Sequence, residues 1–384
     1  MEAYFDNSAT TKVTQSVKDI VVKTMTEDYG NPSSMHMVGV NAEKYIKEAQ
    51  EKIATILKIE PKEIYFTSGG TESNNMAIIG SVQANKRIGN KIITTAVEHS
   101  SVASPMKYLE EQGFEVVYLP VDRYGVASIE ALKQAMDDRT ILVSVMAVNN
   151  EVGAIQPISE IAHYIKSINP KVVYHVDAIQ AFGKMELKPK KDNIDLLTVS
   201  GHKIHGPKGS GFIYIKKNTK INPIILGGGQ QMGFRSGTEN VPGIAGIGQA
   251  SKDCYDNLES NVKKMTELKD YLIEQLETME GVTVNSRKGS AGAPHIVSVS
   301  FKGVRSEVLL HALEEKKIYI SAGSACSSNR PTVSATLKAM GIDKDLSEST
   351  VRFSFCEFNT IEEIDYALTQ LNSLLPMLRK YVRK

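Results

Sequence analysis

The fold class of this chain is decided by residues 91–121, KIITTAVEHSSVASPMKYLEEQGFEVVYLPV, in which a helical pattern lies between two apolar runs. The runs are rich in Ile, Val, Leu and Tyr, as in buried strands, and the stretch between them has the spacing of an amphipathic helix. The same alternation begins near residue 60 and continues to about residue 200. Helices of about 10–15 residues between strands favour right-handed crossovers. We therefore expect an α/β fold with a mostly parallel central sheet and helices on both of its faces.

The rhythm changes beyond residue 240, where one long helical pattern at residues 251–279 contains no strong breaker. Shorter strand and helix patterns follow it, which favours a smaller α+β domain at the C-terminus. We expect a large domain over residues 16–255 and a small domain over residues 256–384. The N-terminal segment, residues 1–15, is expected to pack with the small domain.

The composition is that of a globular protein, with 41% hydrophobic and 23% charged residues. Lys and Arg number 45 against 44 Asp and Glu, so no net field favours a nucleic acid or an anionic membrane as partner. No apolar run reaches the roughly 18 residues of a membrane span, and no export signal is visible at the start. The three cysteines are far apart, which excludes a disulfide scaffold and favours a reducing cytoplasm.

A second informative stretch, SGHKIHGPKG at residues 200–209, follows a predicted buried strand and presents Lys203 among glycines. It does not fit a phosphate-binding P-loop, because Pro207 occupies the position of the required lysine. A metal site from His202 and His205 is also disfavoured, because no third ligand is nearby in the sequence, and no metal site is predicted. On this stretch alone, Lys203 could simply be a solvated lysine in a tight turn.

Asp177, in YHVDAIQ, ends another apolar strand and changes this interpretation. A carboxylate there is costly unless it is paired, and ligands of open α/β sheets bind at the carboxyl ends of strands. An aspartate for a pyridinium nitrogen and a lysine for a Schiff base are the groups that a pyridoxal 5′-phosphate (PLP) site needs. Asp177 and Lys203 together therefore favour PLP as the cofactor.

Two glycine-rich stretches could hold its phosphate. In FTSGGTESNN, at residues 66–75, Gly69 and Gly70 form a turn and Thr71 opens a helix whose N–H groups favour an anion, although an ordinary helix start explains the pattern equally well. The stretch LGGGQQMGFRSGTEN, at residues 226–240, contains Arg235 and Thr238 and could be only a flexible loop.

The combination resembles the group I cysteine desulfurases of the class V aminotransferase superfamily. The matching motifs run in family order over essentially the whole chain: YFDNSATT (4–11), GNPSS (30–34), FTSGGTESNN, EHSSV (98–102), NNEVGAIQPI (149–158), YHVDAIQAFGK (174–184), SGHKIHGPKG, RSGTEN (235–240), SAGSACSS (321–328) and VRFSF (351–355). The resemblance implies a PLP-dependent transferase of fold type I, usually a homodimer, that converts L-cysteine to L-alanine and passes the sulfur to acceptor proteins.

The resemblance also implies a role for individual residues. Lys203 should hold PLP, Asp177 should meet its ring nitrogen, and His99 should stack on the ring and relay protons. The remaining expected contacts are Gly70, Thr71, Ser200 and His202 to the phosphate, Asn150 and Gln180 to the ring hydroxyl, Arg352 (with Asn150 beside it) to the substrate carboxylate, and Thr238 to the phosphate of the neighbouring subunit.

Cys326 lies among small residues in SAGSACSS, which predicts a mobile loop rather than a packed strand. A cysteine in such a run can be a buried small hydrophobe, whereas the resemblance implies a nucleophile that takes the substrate sulfur as a persulfide. Since a free thiol with a pKa of about 8.5 is mostly protonated at pH 7, we expect His99 or the substrate amine to assist it.

Several alternatives stay open at this stage. Cys356 follows Arg352 by four residues, so on a continuous strand the two would share a face, and Cys356 would serve either a redox role or simple packing. The activity could instead be that of a selenocysteine lyase or a class V aminotransferase, and a non-catalytic scaffold is a third possibility. The sulfur acceptor could belong to iron–sulfur cluster assembly or to tRNA thiolation.

Overall fold

The structure, a computed structural model, describes residues 1–322 and 334–381 of the 384-residue chain. Strands and helices alternate through its first two thirds. The strands there are β1 (Ala3–Tyr4), β2 (Ile64–Thr67), β3 (Lys91–Thr95), β4 (Glu115–Leu119), β5 (Thr140–Met146), β6 (Val173–Asp177), β7 (Leu196–Ser200) and β8 (Gly211–Ile215). The helices are α1 (Gln15–Thr26), α2 (Met37–Leu57), α3 (Gly70–Asn85), α4 (Ser100–Glu111), α5 (Ile129–Ala135), α6 (Ile158–Ile168) and α7 (Val241–Asp256).

Seven of these strands form the central sheet, in the order β2-β8-β7-β6-β5-β3-β4. Strand β8 runs antiparallel to both of its neighbours, and all other pairs are parallel. Every residue of β5 and β6 is buried, because helices cover both faces of the sheet. Alternate residues supply two separate cores, with Val143 and Val145 on one side and Leu142 on the other. The predicted α/β class with a mostly parallel sheet is confirmed.

Helices α1, α2 and α7 pack together on one side of this sheet. A Cβ atom built on Gly248 would lie only 2.6 Å from the Cβ of Ala49, so the close approach of α7 to α2 requires glycine at this position. Helix α7 also contacts the loop that carries Lys203, since Pro207 of that loop packs against Gly246 of α7.

The last third of the described chain forms a second layer. Its elements are α8 (Leu258–Glu277), β9 (Val282–Val284), β10 (Ile296–Phe301), α9 (Ser306–Glu314), β11 (Ile318–Tyr319), β12 (Ser321–Ala322), α10 (Ala335–Ala339), α11 (Lys344–Glu348), β13 (Thr350–Ser354) and α12 (Ile361–Leu378). The strands form an antiparallel sheet in the order β12-β13-β10-β9. Helices α8, α9 and α12 pack against this sheet, and together they enclose a hydrophobic core separate from those of the central sheet.

The N-terminal segment lies along this second layer. Strand β1 pairs in parallel with β11, and the ring of Phe5 contacts Phe353 and Phe355, with centroids 6.1 and 5.5 Å away. Asp6 then bridges to Ser354 at the end of β13. The domain boundaries expected from the sequence stay a prediction.

The prediction of a single long helix at residues 251–279 is wrong. Asn257 has φ −124° and ψ 23°, which ends α7, and α8 starts at the next residue. The buried side chains differ accordingly: Cys254 of α7 belongs to the core of the central sheet, whereas Met265 and Leu268 of α8 belong to the core of the smaller layer. The two helices therefore serve different cores, which the continuous apolar spacing of the sequence did not distinguish.

A search of residues 1–322 and 334–381 finds no helix that is both long and apolar enough to cross a membrane.

Candidate active site

The predicted site residues lie at one edge of the central sheet, where its parallel strands end. Strand β6 ends at Asp177 and the adjacent β7 ends at Ser200, followed by a single 3-10 turn, Gly201–Lys203. Since β8 reverses direction between β7 and β2, strand β2 also ends at this edge and delivers the start of α3 there. Asp177, Lys203 and the N-terminus of α3 therefore meet because of the strand order, as expected for a ligand site of an open α/β sheet.

The turn that starts α3 requires glycine. Gly69 has φ +149°, and a Cβ atom on Gly70 would lie 2.2 Å from the Cδ1 of Ile179. Within the described chain no side chain caps this helix, so its first N–H groups point toward the sheet edge. Ser200 lies beside the same turn, with its Cβ 3.5 Å from that position on Gly70. An uncapped helix start next to a hydroxyl is suited to an anion.

These elements surround a cavity of about 250 Å³. The predicted site residues that line it are Gly70, Thr71, His99, Asn150, Asp177, Gln180, Ser200, His202, Lys203 and Arg352. Residues from the N-terminal segment, Ser8 and Ala9, complete the lining together with apolar side chains such as Met146 and Ile179. The structure thus brings ten of the predicted residues together from widely separated parts of the sequence.

Lys203 reaches toward the N-terminal segment. Its Nζ donates hydrogen bonds to the carbonyls of Ser8 and Ala9, the latter at 2.8 Å. The hydroxyl of Thr11 anchors the same segment on the other side of the loop, since it donates to the carbonyl of His202 at 3.0 Å. The lysine amine is therefore held at the cavity wall.

Arg352, in β13, enters the cavity from the second layer and is almost completely buried. Its two terminal nitrogens donate to the carbonyl of Asn150 at 2.7 Å and to a carboxylate oxygen of Asp6 at 2.8 Å. Its Nε has no hydrogen-bond partner among the described residues. A fixed guanidinium with an available donor is suited to bind a carboxylate.

Comparison with known proteins agrees with this geometry. A model of the aminotransferase class-V family matches residues 3–367. The chain belongs to the class-V aminotransferase family. Within it, "Cysteine desulfurase IscS" of Methanosarcina thermophila is 43% identical over 376 residues, which cover 98% of this chain and 92% of that protein. The resemblance to group I cysteine desulfurases is confirmed.

Solved structures of the family share the fold. A NifS-like protein superposes with a TM-score of 0.93 at 39% identity, covering 98% of this chain and all of that one. A structure described as SspA in complex with cysteine superposes with a TM-score of 0.80 at 32% identity, covering 93% and 100%. The predicted fold, the type I fold of the PLP-dependent transferases, is confirmed.

Asp177 is the buried carboxylate of this class-V site. Burial raises its pKa, while the N–H of Ile179 at 2.9 Å and the amide of Asn74 at 2.8 Å act in the opposite direction. These two donors fix both carboxylate oxygens. A ligand with a cationic nitrogen next to Asp177 would stabilise its charged form.

His99 is the N-cap residue of α4. Its Nδ1 accepts from the N–H of Ser101 at 3.1 Å, and burial lowers the pKa of the imidazole. Since Nδ1 is an acceptor in this arrangement, the neutral ring carries its proton on Nε2. His99 therefore presents a neutral ring to the cavity at pH 7.

Two further predicted residues have defined partners. Burial lowers the pKa of His202 to about 4, so that its ring is neutral. Gln180 donates to the carbonyl of Ser8 at 2.9 Å and accepts from Nε2 of the buried His295 at 3.1 Å. The Gln180 amide is therefore locked in one orientation at the cavity wall.

Three predicted features lie elsewhere. Thr238 is exposed and lines a separate surface depression with Arg235 and Asn240. Cys326 lies outside the described residues. Cys356 lies beyond the end of β13 at Ser354, so Arg352 and Cys356 do not belong to one continuous strand as expected. That expectation was wrong, and Cys356 is buried next to His205 and Glu357 instead.

Sequence reasoning missed Asn74 and Glu98, although both lie in motifs that it quoted. Asn74 bridges Asp177 to the hydroxyl of Ser101, which also contacts His99 Nδ1 at 2.8 Å. Burial raises the pKa of Glu98 to about 8, so this residue is mainly protonated at neutral pH. The only sequence signal for either was its position in a glycine-rich or histidine-containing motif.

Proposed function

We propose that this chain is a cysteine desulfurase that uses PLP to convert L-cysteine to L-alanine and transfers the sulfur through Cys326 to acceptor proteins. The observation that carries the proposal is the meeting of Lys203, Asp177 and the uncapped N-terminus of α3 in one buried cavity. The relatives named as cysteine desulfurases support it over nearly the full length of the chain.

The cavity residues fit PLP. The volume of about 250 Å³ lies just below the range of about 300–1,000 Å³ typical for drug-sized ligands, which suits a smaller cofactor. The α3 N-terminus with Ser200 and the neutral His202 would hold the phosphate, and Asp177 would hold the ring nitrogen. The Ser8 hydroxyl has no hydrogen-bond partner among the described residues, which leaves a donor at the wall for a ligand. Asn150 and Gln180 would face the ring hydroxyl.

When bound, PLP supplies an electron-withdrawing ring that stabilises negative charge at the substrate Cα. The protein side chains orient the substrate for this chemistry. Arg352 would bind the substrate carboxylate through its guanidinium, and Lys203 Nζ would anchor the cofactor and then move the Cα proton. Neutral His99 would stack on the ring and hold a proton at Nε2.

Cys326 would perform the sulfur transfer. Its thiolate would attack the substrate sulfur, so that an S–S bond forms while the carbon–sulfur bond breaks and its electron pair goes to the carbon. Protonation of that carbon gives alanine, and Cys326 is left as a persulfide. An acceptor of iron–sulfur assembly or of tRNA thiolation would then take the outer sulfur in a reducing cytoplasm.

The single test of this proposal is product stoichiometry. The purified chain with PLP, L-cysteine and a thiol reductant should release alanine and sulfide in equal amounts without any keto acid. A requirement for stoichiometric keto acid would instead indicate an aminotransferase, and turnover of selenocysteine alone would indicate a selenocysteine lyase.

Asn74 should position Asp177 and His99 for the reaction. Replacing Asn74 with alanine removes the hydrogen bond to the carboxylate, and bonds to charged groups contribute about 1.5–3 kcal/mol. We expect kcat/KM to fall about 10–100-fold and PLP to bind more weakly, as measured by cofactor titration. Asn75→Ala is the matched control on the same helix, because the Asn75 amide donates to the carbonyl of Thr71 and to no other described residue. Equal effects of the two variants would exclude a positioning role.

The exposed Thr238 should serve the active site of a second subunit, which makes the proposed enzyme a homodimer. Thr238→Ala should weaken PLP binding about 10–100-fold, as expected for one bond to a charged phosphate. A mixed dimer of Lys203→Ala and Thr238→Ala subunits distinguishes whether Thr238 serves its own active site or that of the neighbouring subunit. If Thr238 acts on its neighbour, the mixed dimer has one intact site and regains activity.

Each variant mixed only with itself is the control for that experiment. No recovery in verified mixed dimers would place Thr238 on its own subunit or outside the site, and a fully active monomer in sedimentation would exclude sharing altogether.

A further inference from the structure

Three side chains of metal-ligand type meet behind the Lys203 loop. The Nε2 of His205, the Sγ of Cys356 and a carboxylate oxygen of Glu357 all lie within 4.8 Å of one another. The sequence disfavoured a metal at His205 because its neighbourhood lacked further ligands. The fold brings Cys356 and Glu357, which come just after β13, next to His205.

His205 is oriented as a ligand. Its Nδ1 lies 2.7 Å from the carbonyl of Lys12, which can only accept, so Nδ1 carries a proton and donates it. Metal-binding histidines almost always donate their other ring N–H in this way. Burial disfavours a charged ring, but contacts with Cys356 and Glu357 raise the pKa of His205 to about 9, so an ion must displace the Nε2 proton before Nε2 offers its lone pair. The residue is 4% exposed, and its Nε2 lies 3.4 Å from a carboxylate oxygen of Glu357.

The separation between His205 and Glu357 matches a tetrahedral ion. With metal–nitrogen and metal–oxygen distances of about 2.0–2.1 Å, two ligands at a tetrahedral angle lie about 3.3 Å apart. His205 Nε2 and Glu357 Oε2 are 3.4 Å apart. With a metal–sulfur distance of about 2.3 Å, the thiolate should lie about 3.6 Å from each of them. The sulfur of Cys356 lies within 4.8 Å of both atoms, so each distance would need to shorten by at most about 1.2 Å to complete this geometry.

We propose that His205, Cys356 and Glu357 bind one divalent ion of the zinc type. Nitrogen, thiolate and carboxylate ligands together suit Zn²⁺ better than Mg²⁺ or Ca²⁺, which prefer oxygen alone. Two anionic ligands balance the charge of the ion. The Glu357 side chain is partly exposed, and the ring of Phe358 lies edge-on to that of His205, with their centroids 5.2 Å apart.

The position of the site gives it a consequence for the enzyme. His205 follows Lys203 by two residues and Cys356 follows the strand that carries Arg352. The His205 N–H also donates to the hydroxyl of Thr11 at 2.7 Å. A bound ion would therefore link the central sheet, the smaller layer and the N-terminal segment, and it should stabilise their arrangement.

The test uses the full PLP-loaded chain with Cys326→Ser, because Cys326 could itself bind a thiophilic ion. Equilibrium dialysis against Zn²⁺ should give one ion per chain. Co²⁺ should give the strong long-wavelength absorption of a four-coordinate site, where PLP does not absorb, and Zn²⁺ should displace it. Adding Cys356→Ser, His205→Gln or Glu357→Gln should weaken binding by more than about 100-fold, the upper end of the loss caused by removing a ligand's hydrogen-bond partner.

Cys254→Ala is the control, because Cys254 is a buried thiol outside the cluster. Zinc should raise the thermal unfolding temperature of the parent chain but not that of the Cys356→Ser variant, since ligands that bind only the folded state stabilise it. Absence of stoichiometric Zn²⁺ binding, or cobalt absorption that survives Cys356→Ser, would overturn the proposal. His205 and Glu357 would then form only an ion pair.

Discussion

Lys203→Ala should abolish the yellow absorbance of the bound cofactor and lower alanine formation from L-cysteine by at least about 1,000-fold. A proton-transfer group alone contributes about 10²–10⁴-fold, and this substitution also removes the covalent anchor for PLP. The structural basis is the position of Lys203 at the wall of the cavity that contains Asp177. The measurement is the absorbance of the purified protein with PLP, followed by quantification of alanine.

Two further variants keep this prediction interpretable. Lys203→Arg retains a positive charge for the carbonyls of Ser8 and Ala9, so it separates loss of chemistry from loss of folding. Lys208→Ala changes an exposed lysine in the same loop and should leave both absorbance and turnover unchanged. Alanine production near the unmodified rate by Lys203→Ala would remove this lysine from the mechanism.

Cys326→Ser should fold, bind PLP and change colour when L-cysteine is added, yet release alanine at a rate reduced by about 1,000-fold or more. Binding and proton removal depend on Lys203 and Arg352, whereas attack on the substrate sulfur needs a thiolate. Serine has a similar size, but its hydroxyl is far less acidic and does not attack sulfur. Losses of this size are typical when the nucleophile of a covalent mechanism is removed, about 10⁶-fold in one protease.

Cys254→Ala is the matched control for the thiol. Burial raises the pKa of Cys254 to about 12, so its sulfur is protonated and poorly nucleophilic at neutral pH. Its Sγ also donates to the carbonyl of Ser251 within α7. This variant should keep nearly full turnover. A large loss in Cys254→Ala together with normal activity in Cys326→Ser would mean that the nucleophile is misassigned.

The sequence predicted the central sheet well because its strands are apolar on both faces and end at recognisable polar residues. Asp177 and Ser200 are the last residues of β6 and β7, so their meeting follows from strand order alone. The break at Asn257 could not be read in this way, because the apolar spacing continues on both sides of it. What changes there is the core that each helix contacts.

Partners that depend on three-dimensional contact were also missed. Asn74 is one polar residue among several at the start of α3, and only the fold shows that its amide reaches Asp177. Cys356 was assigned to the face of Arg352 because the strand was assumed to continue beyond Ser354. The regular strand ends at that residue, and Cys356 lies next to His205, which belongs to the loop after β7.

The most direct test of the account is mass spectrometry of the PLP-loaded wild-type chain after one addition of L-cysteine without reductant. The peptide that contains Cys326 should carry one added sulfur, and the addition should disappear after treatment with a thiol. The peptides that contain Cys254 and Cys356 should be unmodified. Added sulfur on either of those peptides alone, or on none of the three, while alanine is still released, would contradict sulfur transfer through Cys326.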